Sequence, residues 1–327
     1  MTVSRPAATY ATLEGNVGAL EASLFADAAD GRWDQHTLLR AALVASGVTD
    51  SRSLERYEVR FNDLASELRR TCSAAASPRQ LAEAVFDFAH ARILRGGYRL
   101  ESSGLPAALD EGRYNCVSAS VLYNCLAESV GLEARGLEVP GHAMSRIVLS
   151  DGVIDVETTC PAWFRLINDP EGQAQAVAAT LGPAAEASAP AERREVSAVE
   201  FVATIYYNRG VDLLGEQRFA EAVAANAKAL RLDPASITAR GNLLATVNNW
   251  AIATAAEGRH EEAAALLRRG LAIAPDYKTF HTNYAHVHHQ WMAQLLSAGR
   301  QQEAEQLARR ADADPFLAGG PRTVVPQ

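Results

Sequence analysis

The chain has 327 residues, 48% of them hydrophobic and 21% charged, with a net charge of -8. This is the composition of a globular protein of two or three domains, and its acidic balance argues against nucleic acid as a partner, because phosphate binding leans on clustered Lys and Arg. No apolar run is long enough to span a bilayer and residues 1–6 lack the apolar core of a signal peptide, so no membrane partner is expected and the cytoplasm is the expected location.

Residues 1–105 are expected to form a helical N-terminal region. Leu54, Tyr57, Phe61, Leu64 and Leu68 recur at three and four and give one apolar face. A helix start is legible at Ser77, which can cap, followed by Pro78 for the first turn and Gln80 to close a capping box. Leu81, Val85, Phe88 and Arg92 continue on one side, and Gly96-Gly97 can end this helix in a left-handed cap.

Residues 106–170 change character. Within 112–120 a loop should become a helix, with Asn115 at the N-cap and Cys116 in the first turn. The helical pattern runs over 116–130 and ends at Gly131. Two strand-like segments follow at 133–139 and 142–149. Ser150-Asp151-Gly152 signals a turn, and 153–158 reads as the returning strand. A helix followed by strands predicts an α+β fold. The four cysteines (Cys72, Cys116, Cys125, Cys160) lack CxxC pairing and zinc-ligand spacing, and read as free thiols.

Residues 171–199, rich in Ala, Glu and Pro, read as a linker or a loose helical connection. Over 200–327 the sequence repeats: the motifs beginning at Gln217, Gly258 and Gly299 stand 41 residues apart, and each is followed by an Ala/Leu helix and then by Pro234, Pro275 or Pro315. That predicts an all-α array of helical hairpins. Tyr206, Gly210, Leu213, Phe219, Ala222, Ala229, Leu230 and Pro234 make the first unit resemble a tetratricopeptide repeat, and the longer period of the next two predicts elongated first helices. Trp250 and Trp291, at matching places, read as repeat packing. His286 and His289 lie three apart on a helix that also carries His281 and His288, but no carboxylate or Cys completes a ligand set. No metal and no cofactor is expected.

The chemistry concentrates at Cys116. A helix N-terminus presents unpaired N–H groups and a partial positive charge, which favour a thiolate and can stabilise an oxyanion. His142 opens the second strand-like segment, and two acids, Asp155 and Glu157, lie on the returning one. Strand alternation puts both acids on the face of His142. If the turn is Ser150-Asp151, Glu157 lies opposite Met144, diagonal to His142 and within reach; if it is Asp151-Gly152, Glu157 lies opposite Arg146 and needs a bulge. Asp155 is two residues farther in either case. Glu157 is therefore favoured as the residue orienting His142, with Asp155 second. Tyr98, Tyr114 and Trp163 are candidates to line a substrate groove.

Cys116 at a helix start, His142 opening a strand and Glu157 followed by Thr158-Thr159 on the next resemble the catalytic core of the transglutaminase-like superfamily of papain-type cysteine enzymes, in particular its bacterial members with tetratricopeptide repeats. Val117 departs from the family, many members having an aromatic residue directly after the Cys. The resemblance implies acyl transfer from a peptide or protein amide, as peptidase, amidohydrolase or transamidase, through Cys116, His142 and Glu157 or Asp155, with the repeats engaging a protein or peptide partner. The alternative is an inactive fold of this type serving as a repeat scaffold for protein binding.

Overall fold

The computed structural model describes residues 10, 12–75, 77–139, 141–181 and 193–317. The leader reading at residues 1–6, Pro140, the middle of the 171–199 segment and the end of the repeat region fall outside the described residues. Helices α1 (Ala19–Asp27), α2 (Leu38–Ala45), α3 (Ser51–Thr71) and α4 (Pro78–Arg92) open the fold. In α3 the buried stripe is Leu54, Tyr57, Phe61, Ala65 and Leu68, which is the expected face shifted by one position at its centre. Ser77 caps α4, its hydroxyl accepting the Gln80 N–H at 3.2 Å.

Gly96 and Gly97 do not cap α4, which ends at Arg92. Gly97, at φ +82°, opens strand β1 (Gly97–Tyr98). Gly96 lies so close to the next loop that a Cβ there would stand 2.4 Å from the Glu111 carbonyl oxygen. The pair serves a close approach of two backbones. It lets β1 run parallel to β2 (Arg113–Tyr114) across the short helix α5 (Leu105–Glu111).

Helix α6 (Cys116–Ser129) is buried from Cys116 through Ala127. It packs on an antiparallel sheet of order β5-β4-β3-β6, made of β3 (Glu133–Val139), β4 (His142–Leu149), β5 (Gly152–Val156) and β6 (Arg194–Val196). The architecture is α+β. Leu149 pairs with Gly152 across a Ser150-Asp151 turn, so Ser145 faces Val156 and Arg146 faces Asp155. Strand β5 stops at Val156 rather than reaching residue 158. Beyond it the Glu157 carboxylate takes the N–H and hydroxyl of Thr159, and this local turn replaces the ladder.

The 171–199 segment, expected as a linker or a loose helical connection, holds all but the first residue of helix α7 (Pro170–Leu181) and the edge strand β6, whose Arg194 pairs with Glu138 and Val196 with Gly136. Three residues are too few to carry a legible strand period. The helical array follows as three hairpins, α8 (Ala198–Gly215) with α9 (Phe219–Leu232), α10 (Ile237–Ala256) with α11 (His260–Ile273), and α12 (Lys278–Ser297) with α13 (Gln301–Ala313). The first helices α10 and α12 each run to 20 residues. The period is written in the backbone: Gln217, Gly258 and Gly299 all take left-handed φ, at 60°, 79° and 70°. Trp250 and Trp291 are half-buried against the core. His286 and His289 are exposed, and the described residues hold no group of three side chains fit for a metal.

The array is packed onto the rest of the fold. The Phe201 ring of α8 lies over Gly136 of β3, where a Cβ would come within 2.5 Å of it. Tyr206 donates to Glu21 (3.0 Å), Arg209 to the Ala45 carbonyl (2.5 Å), and Lys228 pairs with Glu21 (2.7 Å). Among the described residues no helix is long and apolar enough to cross a membrane.

Candidate active site

The first four N–H groups of a helix lack intrahelical partners. At α6, Asn115 Oδ1 takes those of Val117 (2.9 Å) and Ser118 (3.1 Å), and Ser118 Oγ returns a bond from the Asn115 N–H (3.0 Å), completing a capping box. The Cys116 N–H, first in the helix, has no acceptor in this cap. The cap is itself anchored. Asn115 Nδ2 donates to the Leu100 carbonyl and to Ser103 Oγ, both at 2.8 Å, and Ser118 Oγ donates to the Ser102 carbonyl at 2.6 Å. Asn115 and Ser118 are 1% and 0% exposed. The thiol-bearing turn is thus tied from below to the loop at residues 100–103.

His142 starts β4 directly after a tight turn in which Gly141 takes φ +74° and Val139 pairs with His142. Its Nε2–H donates to Glu157 Oε2 at 2.6 Å. Glu157 is 2% exposed, and its second oxygen accepts from the Thr159 N–H (3.0 Å) and hydroxyl (2.6 Å). Cys116 is the other group that acts on the ring, raising its affinity for a proton. Burial works against the charged ring, but Cys116 and Glu157 outweigh it and lift His142 to about 10.

Asp155 lies elsewhere. It is held by both Arg146 (2.6 and 3.0 Å) and Arg193 (2.6 Å). Burial raises its carboxyl, but the two guanidinium groups prevail and keep it below the usual range. The register explains the difference: Asp155 stands directly across from Arg146, while Glu157 continues past the strand toward His142.

A polar seam ties helix to sheet beneath these residues. Ser120 Oγ bonds Thr158 Oγ1 (2.7 Å) and the Ala143 carbonyl (3.3 Å), and Ser145 Oγ donates to the Ser120 carbonyl (3.1 Å). All three side chains are buried. His90, on α4, donates through Nε2 to the Thr158 carbonyl at 3.1 Å and packs on Phe86 and Tyr114. Burial dominates there and pushes His90 down to about 4, so the ring is neutral. Tyr98 stacks edge-on against Tyr114, and burial, with the charges of Cys116 and Glu157, pushes its phenol up. Trp163 Nε1 donates to the Asp155 carbonyl. The other three cysteines are buried and unbridged, and burial raises each thiol: Cys72, Cys125 and Cys160.

Asn115, Cys116, His142 and Glu157 are readable as local motifs. His90 is not, because a single His on an amphipathic helix carries no sign of a partner 68 residues away. Ser118 had a signal, three residues beyond an Asn at a helix start.

A family model described as the transglutaminase-like superfamily matches residues 55–165. The match begins in α3, contains Cys116, His142, Asp155 and Glu157, and ends before β6 and the array. No tetratricopeptide-repeat model matched the array. No curated protein and no solved structure matches the chain.

Proposed function

We propose that the protein is a cysteine-dependent acyl-transfer enzyme acting on a peptide or protein amide. The observation that carries this reading is the imidazole of His142, bonded to Glu157 at 2.6 Å, with Cys116 at the N-terminus of α6 near enough to raise the ring's affinity for a proton. An imidazolium beside a thiol at a helix start favours the thiolate. The Cys116 sulfur attacks the amide carbonyl carbon, and its electron pair moves to oxygen. The Cys116 N–H, free of the cap, is a donor to that oxyanion. His142 passes its proton to the departing amine as the carbon–nitrogen bond breaks, leaving a thioester. Water or an amine then attacks the thioester, gives its proton to His142 and releases the thiolate, which restores the ion pair. Glu157 keeps the ring in the right orientation and steadies its charge. The array, similar to tetratricopeptide repeats in its first unit, binds the protein that supplies or accompanies the amide.

A second reading, an unreactive fold that serves as a scaffold, is favoured by one observation: Cys116 is only 8% exposed. Alkylation separates the two. Iodoacetamide at pH 6 should label Cys116 ahead of the other thiols, and His142→Ala should slow that labelling about a hundredfold, as an ordinary thiol with a pKa near 8.5 is almost wholly protonated there. Equal labelling of all four cysteines, or an indifferent His142→Ala, would sink the enzyme reading.

A further inference from the structure

The helical array reaches the sheet one strand away from His142. Glu138 is the penultimate residue of β3, flanked by Ala143 on β4 and Arg194 on β6, and the next pair along is Val139 with His142. Its carboxylate is held from two sides. Tyr207 of α8 donates its hydroxyl to Glu138 Oε1 at 3.2 Å. Arg194 donates to Oε2 through Nε (3.0 Å) and Nη2 (2.7 Å), and also pairs with Asp233 at the end of α9 and with Glu200 on α8. Asp233 is 1% exposed, the Glu138 side chain 14%. Tyr207 is buried, and its phenol is raised by that burial, by Glu138 and by the charge of Cys116. The end of β3, paired through Val139 with His142 on β4, is therefore held by Tyr207 from α8 and by Arg194 from β6, both beyond residue 165.

We propose that Tyr207, acting through Glu138 together with Arg194, is a positioning residue for His142, so that the reactive site is completed by the first hairpin of the array. This rests on the Cys116–His142 reading above. A carboxylate buried at a strand end stays put only while its donors are in place, and a small displacement of β4 at its first residue moves the imidazole relative to a sulfur fixed by the Asn115 cap. The array then supplies structure to the chemistry as well as a surface for partners.

The test is the pH–rate profile for iodoacetamide alkylation of Cys116 in the full chain, measured for parent, His142→Ala, Tyr207→Phe, Tyr206→Phe and Arg194→Gln. Tyr206 is the control, since it lies next in the same helix, is fully buried and gives its hydroxyl to Glu21, away from the site. Tyr207→Phe should lower the rate at pH 6 about fivefold and Arg194→Gln about tenfold, each with the acid limb moved toward higher pH, as expected for losing one or two hydrogen bonds to a charged group. Tyr206→Phe should leave the profile in place even where it lowers the melting temperature. Tyr207→Phe and Arg194→Gln profiles that superpose on the parent, while His142→Ala shifts it, would overturn the positioning role alone. Equal shifts in Tyr206→Phe and Tyr207→Phe would reduce it to a general loss of stability. An unmoved His142→Ala profile would remove both this inference and the reading beneath it.

Discussion

The start of α6 and the starts of α9, α11 and α13 solve the same problem in opposite ways. Each second helix of the array opens on an Arg, at 218, 259 and 300, that gives no side-chain cap. Instead it pairs with a Glu three residues on, Glu221, Glu262 or Glu303, with all partners about half exposed. At α6 the cap is Asn115, which is buried, and all its hydrogen-bonding groups find protein partners. At these helix starts the array uses water-exposed charges that lie outside its packed faces. The site buries polar groups that tolerate no substitute, because an unsatisfied buried donor costs more than a satisfied one returns.

That contrast is open to direct test, and the largest effect belongs to Asn115. Replacing it by Ala strips two α6 N–H groups of their acceptor and Leu100 and Ser103 of their donor. The expected loss is about 3 kcal/mol of unfolding free energy, read as a lower urea midpoint at unchanged m-value. The residual folded protein should also lose the selective labelling of Cys116. An Asn115→Ala chain as stable as the parent would mean that the site region is no more demanding than the array.

The two histidines give the next effect, with opposite signs. His142 is lifted from 6.5 to about 10. Its stabilising contribution is complete below the unfolded value and is lost as pH rises through about 10. His90 is pushed from 6.5 down to about 4. Its contribution is present above 6.5 and is lost as pH falls toward 4, because the unfolded chain takes up the proton first. Urea unfolding across pH 4 to 10 should therefore give a maximum near pH 6.5. Glu157→Gln should lower that maximum by about 2 kcal/mol, the worth of a buried charge-assisted hydrogen bond, and flatten the alkaline side. His90→Gln should flatten the acid side only. An acid limb unchanged by His90→Gln would show that His90 is not the group titrating there.

How much of this was legible in the sequence divides along the same line. The array could be read because its signal repeats: the Gln217, Gly258 and Gly299 motifs and the following prolines fix six helices by register alone. In the site, the Asn115 cap and the preference for Glu157 over Asp155 follow from local rules, and the Ser150-Asp151 turn settles which register applies. What stayed hidden is non-local. Strand β6 is three residues long, and Gly96-Gly97 looks like a helix stop until the chain returns beside it at residues 111–113. His90 meets Thr158, and Tyr207 meets Glu138, 68 and 69 residues apart in the chain. No periodicity encodes such pairs.

The smallest predicted effect tests the array's own rule. Gln217 is the positive-φ residue without the freedom of glycine among the described residues, at the place where the next two hairpins carry Gly258 and Gly299. A side chain in the left-handed region costs about 1 kcal/mol, and glycine returns part of that gain through its freer unfolded chain. Gln217→Gly should thus stabilise by about 0.5 kcal/mol, while Gly258→Gln should destabilise by about 1 kcal/mol. Arg259→Ala, which removes only exposed pairs to Glu262 and Glu257, should stay within about 0.5 kcal/mol of the parent. Thermal melts of the three chains rank backbone conformation above surface charge if the comparison holds. Were Arg259→Ala to cost as much as Gly258→Gln, the exposed pairs would be structural in their own right, and the array would differ from the site in degree rather than in kind.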